Sequence, residues 1–304
     1  MQPKTLITGG SGLLALNWAC ALRDRQHIIL GLHNRQVSLD GALAVQVNLH
    51  SLNNLIKQIE VIQPQFVIHA AGLTSIENCE SNPTLARELN VTLAINMAKV
   101  CAMYEIPLVH ISTDHLFSGN DALADEDFQI SPLNIYGRTK AEAELRVLEE
   151  NSDALVIRTN FYGWGTSYRQ SLSDFIIRAL RAGKKLELFD DVFYTPILAE
   201  TLAQATYDLM ALSAKGVFNI VGSQRLSKYD FGLRLAKEFG LDEGLIKATQ
   251  ISKLQSLVKR PLDMSLSNKK AVGFLGRDFG VTNDHLARLR QQEENGMKME
   301  LEKL

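Results

Sequence analysis

Short apolar runs alternate with longer amphipathic segments along the first half of the chain. The runs are rich in Ile, Val and Leu, and they cover residues 4–8, 27–32, 45–49, 65–72, 108–113 and 153–159. Helical periodicity fills the intervals, most clearly at residues 52–62, 84–104 and 136–150. Strands that alternate with helices form parallel sheets with helices on both faces. The pattern therefore predicts a doubly wound α/β fold.

The second half of the chain has a less regular pattern. Helices are expected at residues 171–182, 198–212 and 227–239. A last strand is expected at residues 216–222, where it returns to the main sheet. Residues 285–304 are rich in charge, and we expect them to form a helix or tail that is exposed to solvent.

A glycine-rich segment follows the first predicted strand. It reads Gly-Gly-Ser-Gly-Leu-Leu-Ala at residues 9–15 and leads into an apolar helical pattern. Strand, glycine turn and helix are the context in which a helix N-terminus binds pyrophosphate. In this fingerprint Gly10 allows a tight turn, Gly12 lets the ligand approach the backbone, and Ala15 lets helix and strand pack closely. The sequence therefore predicts a Rossmann-type dinucleotide site at Gly9, Ser11, Gly12, Leu13 and Leu14.

The end of the second strand bears on the choice of cofactor. A site for NAD(H) usually has an acidic residue there to bind the ribose 2′-hydroxyl, but this chain has Asn34 and Arg35 and no carboxylate before Asp40. Arg35 could pair with a 2′-phosphate or could be an ordinary loop arginine. We expect NADP(H) to be preferred, with NAD(H) possible. The other residues expected at the cofactor are Asn34, Asn48, Leu49, Ala70, Ala71 and Gly72.

A tyrosine and a lysine stand four residues apart at the start of a predicted helix. On a helix Tyr136 and Lys140 share one face, so the ammonium group would favour the phenolate and lower the pKa of the phenol. Tyr136 could then act as a general acid or base near neutral pH. Thr113 ends the fifth predicted strand, at the edge where open α/β sheets bind ligands. The coincidence of this hydroxyl, the tyrosine–lysine pair and the glycine loop is far more specific than any one of them.

This order of motifs resembles the extended branch of the short-chain dehydrogenase/reductase superfamily. Residues 8–15 are similar to its Thr-Gly-x-x-Gly-x-x-Gly motif, with alanine in the last place as the departure. Within the branch, VHISTDHLFSG at residues 109–119 and PLNIYGRTK at residues 132–140 resemble the dTDP-4-dehydrorhamnose reductase family. The resemblance implies that Thr113, Tyr136 and Lys140 are catalytic, that Tyr136 and Lys140 also contact the cofactor, and that the substrate is a nucleotide sugar.

Four residues are expected to bind the substrate. His115 stands where the family typically has a tyrosine that helps to hold it. This histidine also counts against a nucleotide-sugar dehydratase, which typically has a glutamate base there. Asn160 and Phe161 begin a loop rich in aromatic residues and glycine, and family members similarly meet the substrate after this strand. Arg260 could bind the substrate diphosphate or lie at the surface. By contrast, His69 lies inside an apolar strand and is expected to be a core histidine.

These assignments divide the chain into a cofactor domain and a substrate region. Residues 1–160 plus 191–221 are expected to form an NAD(P)-binding Rossmann domain. Residues 161–190 plus 222–290 are expected to form a smaller, discontinuous C-terminal substrate-binding region. Residues 291–304 are expected to be a charged tail. Because extended family members are commonly dimers through two helices on one side of the sheet, the resemblance also implies a homodimer.

Composition narrows the possible partners. The 304 residues have a formal net charge of −2, and 22% of them are charged, which gives no electrostatic footprint for nucleic acid or for an anionic membrane. No apolar run approaches the roughly 20 residues that a membrane helix needs. Cys20, Cys79 and Cys101 lack the spacing of metal ligands and are expected to be reduced thiols, with no metal site. We therefore expect a cytoplasmic enzyme with a small-molecule substrate.

The expected activity is NADPH-preferring reduction of a nucleotide-activated 4-keto-6-deoxy sugar. Thr113 would bind the substrate carbonyl, Tyr136 would donate a proton to its oxygen, and Lys140 would hold the nicotinamide ribose. Two alternatives stay open at this point. One is a nucleotide-sugar epimerase that retains NAD(P), and the other is a non-catalytic NADP-binding subunit like the regulatory subunit of methionine adenosyltransferase, which looks like this family.

Overall fold

Strands and helices alternate through residues 2–253 and 258–304, which the computed structural model describes. The strands are β1 (Lys4–Thr8), β2 (His27–Leu32), β3 (Ala42–Gln46), β4 (Phe66–His69), β5 (Leu108–Ile111), β6 (Leu155–Arg158), β7 (Phe161–Tyr162), β8 (Leu186–Phe189), β9 (Phe193–Tyr194), β10 (Ile197–Leu198), β11 (Gly216–Asn219), β12 (Leu226–Ser227) and β13 (Ile246–Thr249). The α-helices are α1 (Leu13–Leu22), α2 (Leu52–Ile62), α3 (Ile76–Ser81), α4 (Pro83–Arg87), α5 (Leu93–Met103), α6 (Ile135–Glu150), α7 (Leu172–Arg181), α8 (Ala199–Ala211), α9 (Lys228–Glu238), α10 (Lys269–Leu275), α11 (Thr282–Glu294) and α12 (Met297–Glu302). Short 3-10 helices cover Glu243–Leu245 and Ile251–Lys253.

The main sheet has seven parallel strands in the order β11-β6-β5-β4-β1-β2-β3. The chain runs outward from β1 through β2 to β3, then crosses back to β4 on the other side of β1. The gap between β1 and β4 is therefore a topological switch point, where open α/β sheets bind ligands outside the carboxyl ends of their strands. The predicted doubly wound α/β fold is confirmed, including the return of β11 to the sheet beside β6.

Both faces of this sheet are buried. Successive side chains of a strand point to opposite faces, and in β1 Leu6 packs into the cluster formed with α2, α5 and α6, whereas Ile7 packs into the cluster that includes α1 and α8. The same alternation occurs in β4 at Val67 and Ile68. Strands that are covered on both sides read as continuous apolar runs, which is why the sequence pattern located them.

The third strand lies earlier than predicted. The expected strand at residues 45–49 is wrong, because β3 covers Ala42–Gln46 and pairs with β2 so that Ile28 is opposite Ala42. This edge strand contains small, partly exposed alanines, which carry little β-strand signal. Val47 and Leu49 are buried beyond its end. These two apolar residues are therefore buried in the loop at the carboxyl edge of the sheet, and they do not belong to the strand.

The long helix predicted at residues 84–104 is interrupted. It begins with α4, where Pro83 occupies the first turn and the Asn82 side chain accepts a hydrogen bond of 3.0 Å from the backbone N–H of Leu85. Asparagine caps and proline at the first position both favour a helix start. A π-helical turn at Glu88–Thr92 then separates α4 from α5. Such turns are rare and often lie at functional sites.

The C-terminal segment packs onto the body of the protein. Residues 285–304, including the tail expected at 291–304, lie in α11, α12 and their connections, so the prediction of a solvent-exposed end is wrong. Leu301 is fully buried. Glu300 accepts two hydrogen bonds from the Arg23 guanidinium, at 2.5 and 2.8 Å. The charged residues of this segment cover its outer face, while leucines at helical spacing form the inner one.

In the part of the chain that the structure describes, three pairs of short strands lie outside the main sheet, namely β7 with β10, β9 with β12 and β8 with β13. The helices predicted at residues 171–182 and 227–239 are confirmed as α7 and α9. Each starts at a serine, Ser171 or Ser227, in a capping box with an aspartate three residues later. Among the helices of the described ranges, none is both long and apolar enough to cross a membrane.

Candidate active site

A cavity of about 630 Å³ lies at the carboxyl ends of β1, β4, β5 and β6. Most of the residues predicted for the site line it. These are Gly9, Ser11, Gly12, Leu13, Leu14, Arg35, Ala70, Ala71, Gly72, Thr113, His115, Tyr136, Lys140, Asn160 and Phe161. Four other predicted residues lie outside this lining, namely Asn34, Asn48, Leu49 and Arg260. The sheet edge thus brings together the glycine loop, the strand-end threonine and the tyrosine–lysine pair.

The glycine loop turns at Gly9, not at Gly10 as the fingerprint suggested. Gly9 has φ +70°, and a Cβ atom there would lie 3.0 Å from the backbone of Ala71. Gly10 is required for a different reason, because a Cβ atom there would lie 2.9 Å from the backbone of Leu30. Its N–H donates to the carbonyl of Gly31 at 2.9 Å. The first glycine therefore makes the left-handed turn, and the second allows β1 and β2 to approach closely.

Helix α1 begins in the cavity wall with its first turn uncapped. Gly12 is the N-cap residue and has no side chain that could bond to the helix N–H groups. A helix N-terminus carries a partial positive charge and free N–H donors, which favour an anion. Gly12, Leu13 and Leu14 all line the cavity. This end of the cavity is therefore suited to a phosphate group.

Asn90 lies in the π-helical turn and links two walls of the cavity. Its Oδ1 accepts a hydrogen bond of 2.7 Å from the N–H of Leu73, just after β4. Its Nδ2 donates to Thr139 Oγ1 in α6 at 3.0 Å. A Cβ atom at Gly72 would lie 2.8 Å from Asn90 Oδ1. The wider turn thus places an amide between the strand that carries the predicted cofactor contacts and the helix that carries Tyr136.

A second cavity, of about 190 Å³, adjoins the first at Gly9, Ala71 and Gly72. Its lining is mostly apolar and includes Leu32 and Leu49. Of the other residues predicted nearby, Asn34 is exposed. The backbone N–H of Asn48 donates to the Gln58 side chain at 2.9 Å. The slot is small and mostly apolar, which suits an aromatic base.

Arg35 lies over the ring of Tyr168, with 3.9 Å between its guanidinium carbon and the ring centroid. The Tyr168 hydroxyl donates to the carbonyl of Ser11 at 2.8 Å. The next residue, Arg169, donates to Thr74 Oγ1 at 2.6 Å. All five of these residues line the cavity. Residues 166–170 thus cross from the predicted substrate region to the glycine loop, and sequence reasoning missed them because an irregular loop has no periodicity.

The start of α6 fixes Tyr136 beside the loop that follows β5. Asn134 caps the helix by accepting a hydrogen bond of 2.9 Å from the N–H of Gly137. A Cβ atom at Gly137 would collide with the carbonyl of His115 and lie 2.9 Å from Pro132 Cβ. Only glycine allows this approach. As a result the rings of His115 and Tyr136 meet edge to face, with centroids 5.6 Å apart.

Burial dominates the acidity of Tyr136. It raises the pKa of the phenol to about 12, although hydrogen bonding with Thr113 acts in the opposite direction. The phenol of the protein alone is therefore less acidic than the sequence predicted, because loss of hydration disfavours the phenolate more than its hydrogen bonds and neighbouring charges favour it,. At neutral pH the phenol carries its proton.

Lys140 is held by the strand beneath it. Its Nζ donates to the carbonyl of Ile111 at 2.7 Å and lies 3.3 Å from Nε2 of His110. Burial lowers the pKa of the ammonium to about 8, and the charge of Glu144 partly opposes this. Glu144 in turn forms a buried ion pair with Arg158 at 2.8 Å. The lysine is thus fixed in position and is mostly protonated at neutral pH.

The loop after β5 holds a chain of polar groups. Thr113 Oγ1 donates to Asp114 Oδ1 at 3.3 Å and accepts a hydrogen bond of the same length from the N–H of His115. The other oxygen of Asp114 accepts a hydrogen bond from Asn160 Nδ2. Burial lowers the pKa of His115, although Asp114 favours its protonation. Asp114 was not among the predicted site residues, yet it is hydrogen-bonded to two that were, Thr113 and Asn160.

The two remaining predicted substrate residues occupy different places. Phe161 begins β7, which pairs with β10 in parallel, and its side chain lines the cavity. Arg260 lies outside the lining and forms an ion pair with Glu77 in α3. Its charge is still close enough to contribute to the lowered pKa of His115. The structure therefore brings Phe161 to the cavity but leaves Arg260 at its border.

The arrangement fits a nicotinamide dinucleotide. Side chains at Gly9 or Gly12 would fill the cradle that the loop forms, since the added Cβ atoms would lie within 3.0 Å of backbone atoms. The uncapped end of α1 supplies N–H donors to a pyrophosphate. The apolar slot that contains Leu49 suits an adenine ring, and Tyr136 and Lys140 line the larger cavity that adjoins it.

Comparison with known proteins points to one family. The model of the RmlD substrate binding domain matches residues 3–289. The probable low-salt glycan biosynthesis reductase Agl14 of Haloferax volcanii is 31% identical over 288 residues, which are 93% of this chain and 96% of that protein. Methionine adenosyltransferase 2 subunit beta of Bos taurus is 29% identical over 245 residues, which are 78% of this chain and 72% of that protein.

Solved structures show the same fold. A hypothetical dTDP-4-dehydrorhamnose reductase from Sulfolobus tokodaii superposes with a TM-score of 0.81 at 28% identity and covers 94% of this chain and 99% of that one. The dTDP-4-dehydrorhamnose reductase of Bacillus anthracis, solved with NADP, has a TM-score of 0.84 at 20% identity and covers 96% and 100%. The resemblance seen in the motifs is confirmed. The chain therefore belongs to the RmlD substrate-binding domain family of dTDP-4-dehydrorhamnose reductase-like proteins, oxidoreductases of the extended short-chain dehydrogenase/reductase type.

Proposed function

We propose that the protein is an NADPH-preferring reductase of a nucleotide-activated 4-keto-6-deoxy sugar. The observation that carries this proposal is the meeting of Thr113, Tyr136 and Lys140 with the glycine loop in one cavity. A proton donor, a hydroxyl and a fixed cation beside a dinucleotide cradle are what carbonyl reduction needs. Membership in the family supports the substrate class.

Tyr136 and Thr113 act on the carbonyl oxygen of the substrate. The chemistry that NADPH would supply when bound is a hydride for the carbonyl carbon. Tyr136 donates its phenolic proton to the oxygen, and burial supports this role because it keeps the phenol protonated at neutral pH. The Thr113 hydroxyl rotates from Asp114 to donate a hydrogen bond to the same oxygen. Asp114 and Asn160 keep the threonine loop in place.

Lys140 stabilises the charge that this step leaves on Tyr136. The phenolate that remains after proton donation is anionic, and an ammonium group on the same helix face favours it. Two of the three N–H groups of Lys140 point to the Ile111 carbonyl and to His110. The third remains for the cavity, where it would bind the nicotinamide ribose.

Arg35 supports the preference for NADPH. It lines the cavity at the end of the glycine loop, and no carboxylate occurs between β2 and Asp40 to bind an unmodified ribose. A guanidinium forms forked, charge-assisted hydrogen bonds with phosphate. In this proposal the cofactor is held by Gly9, Ser11, Gly12, Leu13, Leu14, Asn34, Arg35, Asn48, Leu49, Ala70, Ala71 and Gly72, together with Tyr136 and Lys140.

The substrate would lie across the boundary between the two predicted parts of the chain. Residues 1–160 plus 191–221 would hold the cofactor, and residues 161–190 plus 222–290 would hold the nucleotide of the substrate. His115, Asn160, Phe161 and Arg260 would contact the substrate. Arg260 would exchange its partner Glu77 for a diphosphate, to which a guanidinium binds at least as well.

An absorbance assay tests the proposal. The purified protein is mixed with NADPH or NADH and a panel of nucleotide-linked 4-keto-6-deoxy sugars, and oxidation is followed over time. We expect oxidation of NADPH with at least one sugar. Tyr136→Phe, which keeps the ring and removes the proton, should be about 10²–10⁴-fold slower. No oxidation of either cofactor with any sugar of the panel would refute the proposal.

The same assay separates the two alternatives. An epimerase would retain its cofactor through purification and convert the sugar without net oxidation. The likeness to methionine adenosyltransferase 2 subunit beta is the reason to consider a binding subunit. Such a subunit would bind NADP tightly, turn over no sugar and copurify with a partner enzyme. Net oxidation that consumes NADPH in proportion to the sugar reduced contradicts both.

We also infer a homodimer in the cytoplasm. The dimer would form through α5 and α6, which pack together and expose Met103 and Leu145, each 60% accessible in the monomer. Exposed apolar side chains on neighbouring helices favour association. Light scattering would measure the mass, and Leu145→Glu should convert a dimer to a monomer. A monomeric wild-type protein would exclude this interface.

A further inference from the structure

Two histidines lie side by side beneath the candidate active site. His69 in β4 and His110 in β5 occupy opposite positions in the register of these strands. Their rings stack with centroids 5.6 Å apart and an angle of 19° between their planes. Each is 1% exposed. His69 is thus the core histidine that the sequence predicted. His110 is equally buried, but it contacts Lys140, which lines the cavity.

The contact with Lys140 determines the state of the His110 ring. An ammonium group has only donors, so Nε2 of His110, 3.3 Å from Lys140 Nζ, must accept, and the ring proton must lie on Nδ1. Burial and the charge of Lys140 hold the pKa of His110 well below its ordinary value. The same two causes lower the pKa of His69 to about 3. Both rings are therefore neutral at physiological pH.

The hydrogen bonds of the rings do not form a network of their own. His69 Nδ1 is hydrogen-bonded to Thr8 Oγ1 at 2.9 Å. Within residues 2–253 and 258–304, His69 Nε2 and His110 Nδ1 have no hydrogen-bond partner. A buried polar atom without a partner destabilises the fold, so an apolar side chain at position 110 would serve packing better. The polar feature that His110 offers its surroundings is its acceptor toward Lys140.

We propose that His110 is a positioning residue, whose neutral imidazole and the neighbouring Ile111 carbonyl together fix the Lys140 ammonium and keep it protonated in a buried site. The inference rests on the proposed function, since it assigns a role to the surroundings of a catalytic lysine. The other ionisable groups that face Lys140 are His69 from β4 and Tyr136 and Glu144 from α6. Of these only Glu144 favours the charged lysine, and it is already paired with Arg158.

Loss of the acceptor has a defined consequence. A hydrogen bond to a charged group stabilises the charged form, so its removal should lower the pKa of Lys140 by about one unit or more. In His110→Leu the acceptor is absent, and in His110→Asn it is too short to reach Nζ. In His110→Gln the amide oxygen can take the place of Nε2. His69→Phe is the matched control, because it keeps the stack and removes no acceptor from the lysine.

The pKa of Lys140 can be measured without substrate or cofactor. Protein labelled with ¹³C at the lysine ε-carbons is titrated by NMR, and Lys140→Met identifies the signal. We expect a midpoint near pH 8 for wild type, His110→Gln and His69→Phe, and one at least about one unit lower for His110→Asn and His110→Leu. Circular dichroism checks that each variant is folded. If either His110→Asn or His110→Leu does not fold, the other still tests the loss of the acceptor.

Two results would overturn the inference. One is an unchanged midpoint in the folded variants that lack the acceptor. The other is a midpoint in His69→Phe that falls as far as in His110→Leu, since burial and not the acceptor would then set the pKa. Because no turnover is measured, a failed reductase assay would leave this titration interpretable, and an unshifted titration would leave the reductase proposal standing.

Discussion

The guanidinium of Arg35 stacks on Tyr168, whose hydroxyl is hydrogen-bonded to the carbonyl of Ser11. The tyrosine therefore connects the candidate 2′-phosphate ligand to the glycine loop. Tyr168→Ala should weaken NADP⁺ binding by about 2- to 5-fold, because a cation–π contact of this kind contributes about 0.5–1 kcal/mol. Titration calorimetry with NADP⁺ and NAD⁺ measures the effect.

Tyr168→Phe is the control for this prediction. It keeps the ring under Arg35 and removes only the hydrogen bond to Ser11, so the ratio of the two dissociation constants should stay near the wild-type value. NAD⁺ binding should change little in Tyr168→Ala. If Tyr168→Ala weakened the binding of NADP⁺ and NAD⁺ equally, Tyr168 would support the glycine loop as a whole and not Arg35 in particular.

Reductase activity should fall as the pH rises through about 8. Burial lowers the pKa of Lys140 to about 8, and in the proposed mechanism it is the ammonium form that stabilises the phenolate and binds ribose. The lysine is charged below this pKa and loses its charge above it, so kcat/KM should decrease up to tenfold per pH unit on the alkaline side. The phenol of Tyr136, with a pKa of about 12, stays protonated throughout this range.

Lys140→Arg distinguishes charge from other causes of this decline. Arginine stays protonated in proteins, so the variant should be slower at pH 7, because its geometry differs, but should show no decline near pH 8. A wild-type rate that stays constant to pH 10 would mean that the charge of Lys140 does not limit the reaction. The measurement is the initial rate of NADPH oxidation at saturating cofactor.

Gly137 and Gly273 both lie in helices, but Gly137 is closely surrounded by other residues and Gly273 faces open space. Gly137→Ala should destabilise the protein by roughly 1–3 kcal/mol, because the new methyl group meets the His115 carbonyl and Pro132,. Gly273→Ala, in α10, has open space within 4 Å and should stabilise by about 0.5–1 kcal/mol through helix propensity. Urea denaturation gives both free energies of unfolding. A stabilising effect at both positions would contradict the close approach of α6 to the β5 loop.

The packing of the C-terminal helices can be tested at two apolar residues of α12. Leu301 is fully buried, and Leu301→Ala should cost roughly 2–5 kcal/mol of the free energy of unfolding,. Met299 is 60% exposed, and Met299→Ala should change it by less than about 0.5 kcal/mol,. Similar small effects at both positions would indicate an end that is not packed in solution.

Hydrophobic pattern predicted most of the main sheet, because its strands are buried on both faces. It misplaced β3, since an edge strand of small residues has little signal of its own and its position is set by pairing with β2. It also missed the packing of α11 and α12, in which single leucines among many charges make the inner face. Local periodicity does not reveal such contacts, because they depend on surfaces distant in the sequence.

The candidate site was predictable where backbone geometry dictates residue type. The glycine loop and the spacing of Tyr136 and Lys140 have recognisable sequences because a turn and a helix face require them. Tyr168 and Asp114 could not be found this way, since their positions follow from a loop path and a strand end that only the tertiary structure defines. The acidity of Tyr136 was misjudged because one neighbouring charge is visible in the sequence, whereas burial is not.

Transfer of deuterium tests the central claim most directly. The protein is incubated with a nucleotide-linked 4-keto-6-deoxy sugar and NADPH that carries deuterium at the transferred position of the nicotinamide ring, and the sugar product is examined by mass spectrometry and NMR. The expected product is an alcohol with deuterium on the former carbonyl carbon, formed by wild type and about 10²–10⁴-fold more slowly by Tyr136→Phe. A product without deuterium, or no product with any sugar of the panel, would contradict it.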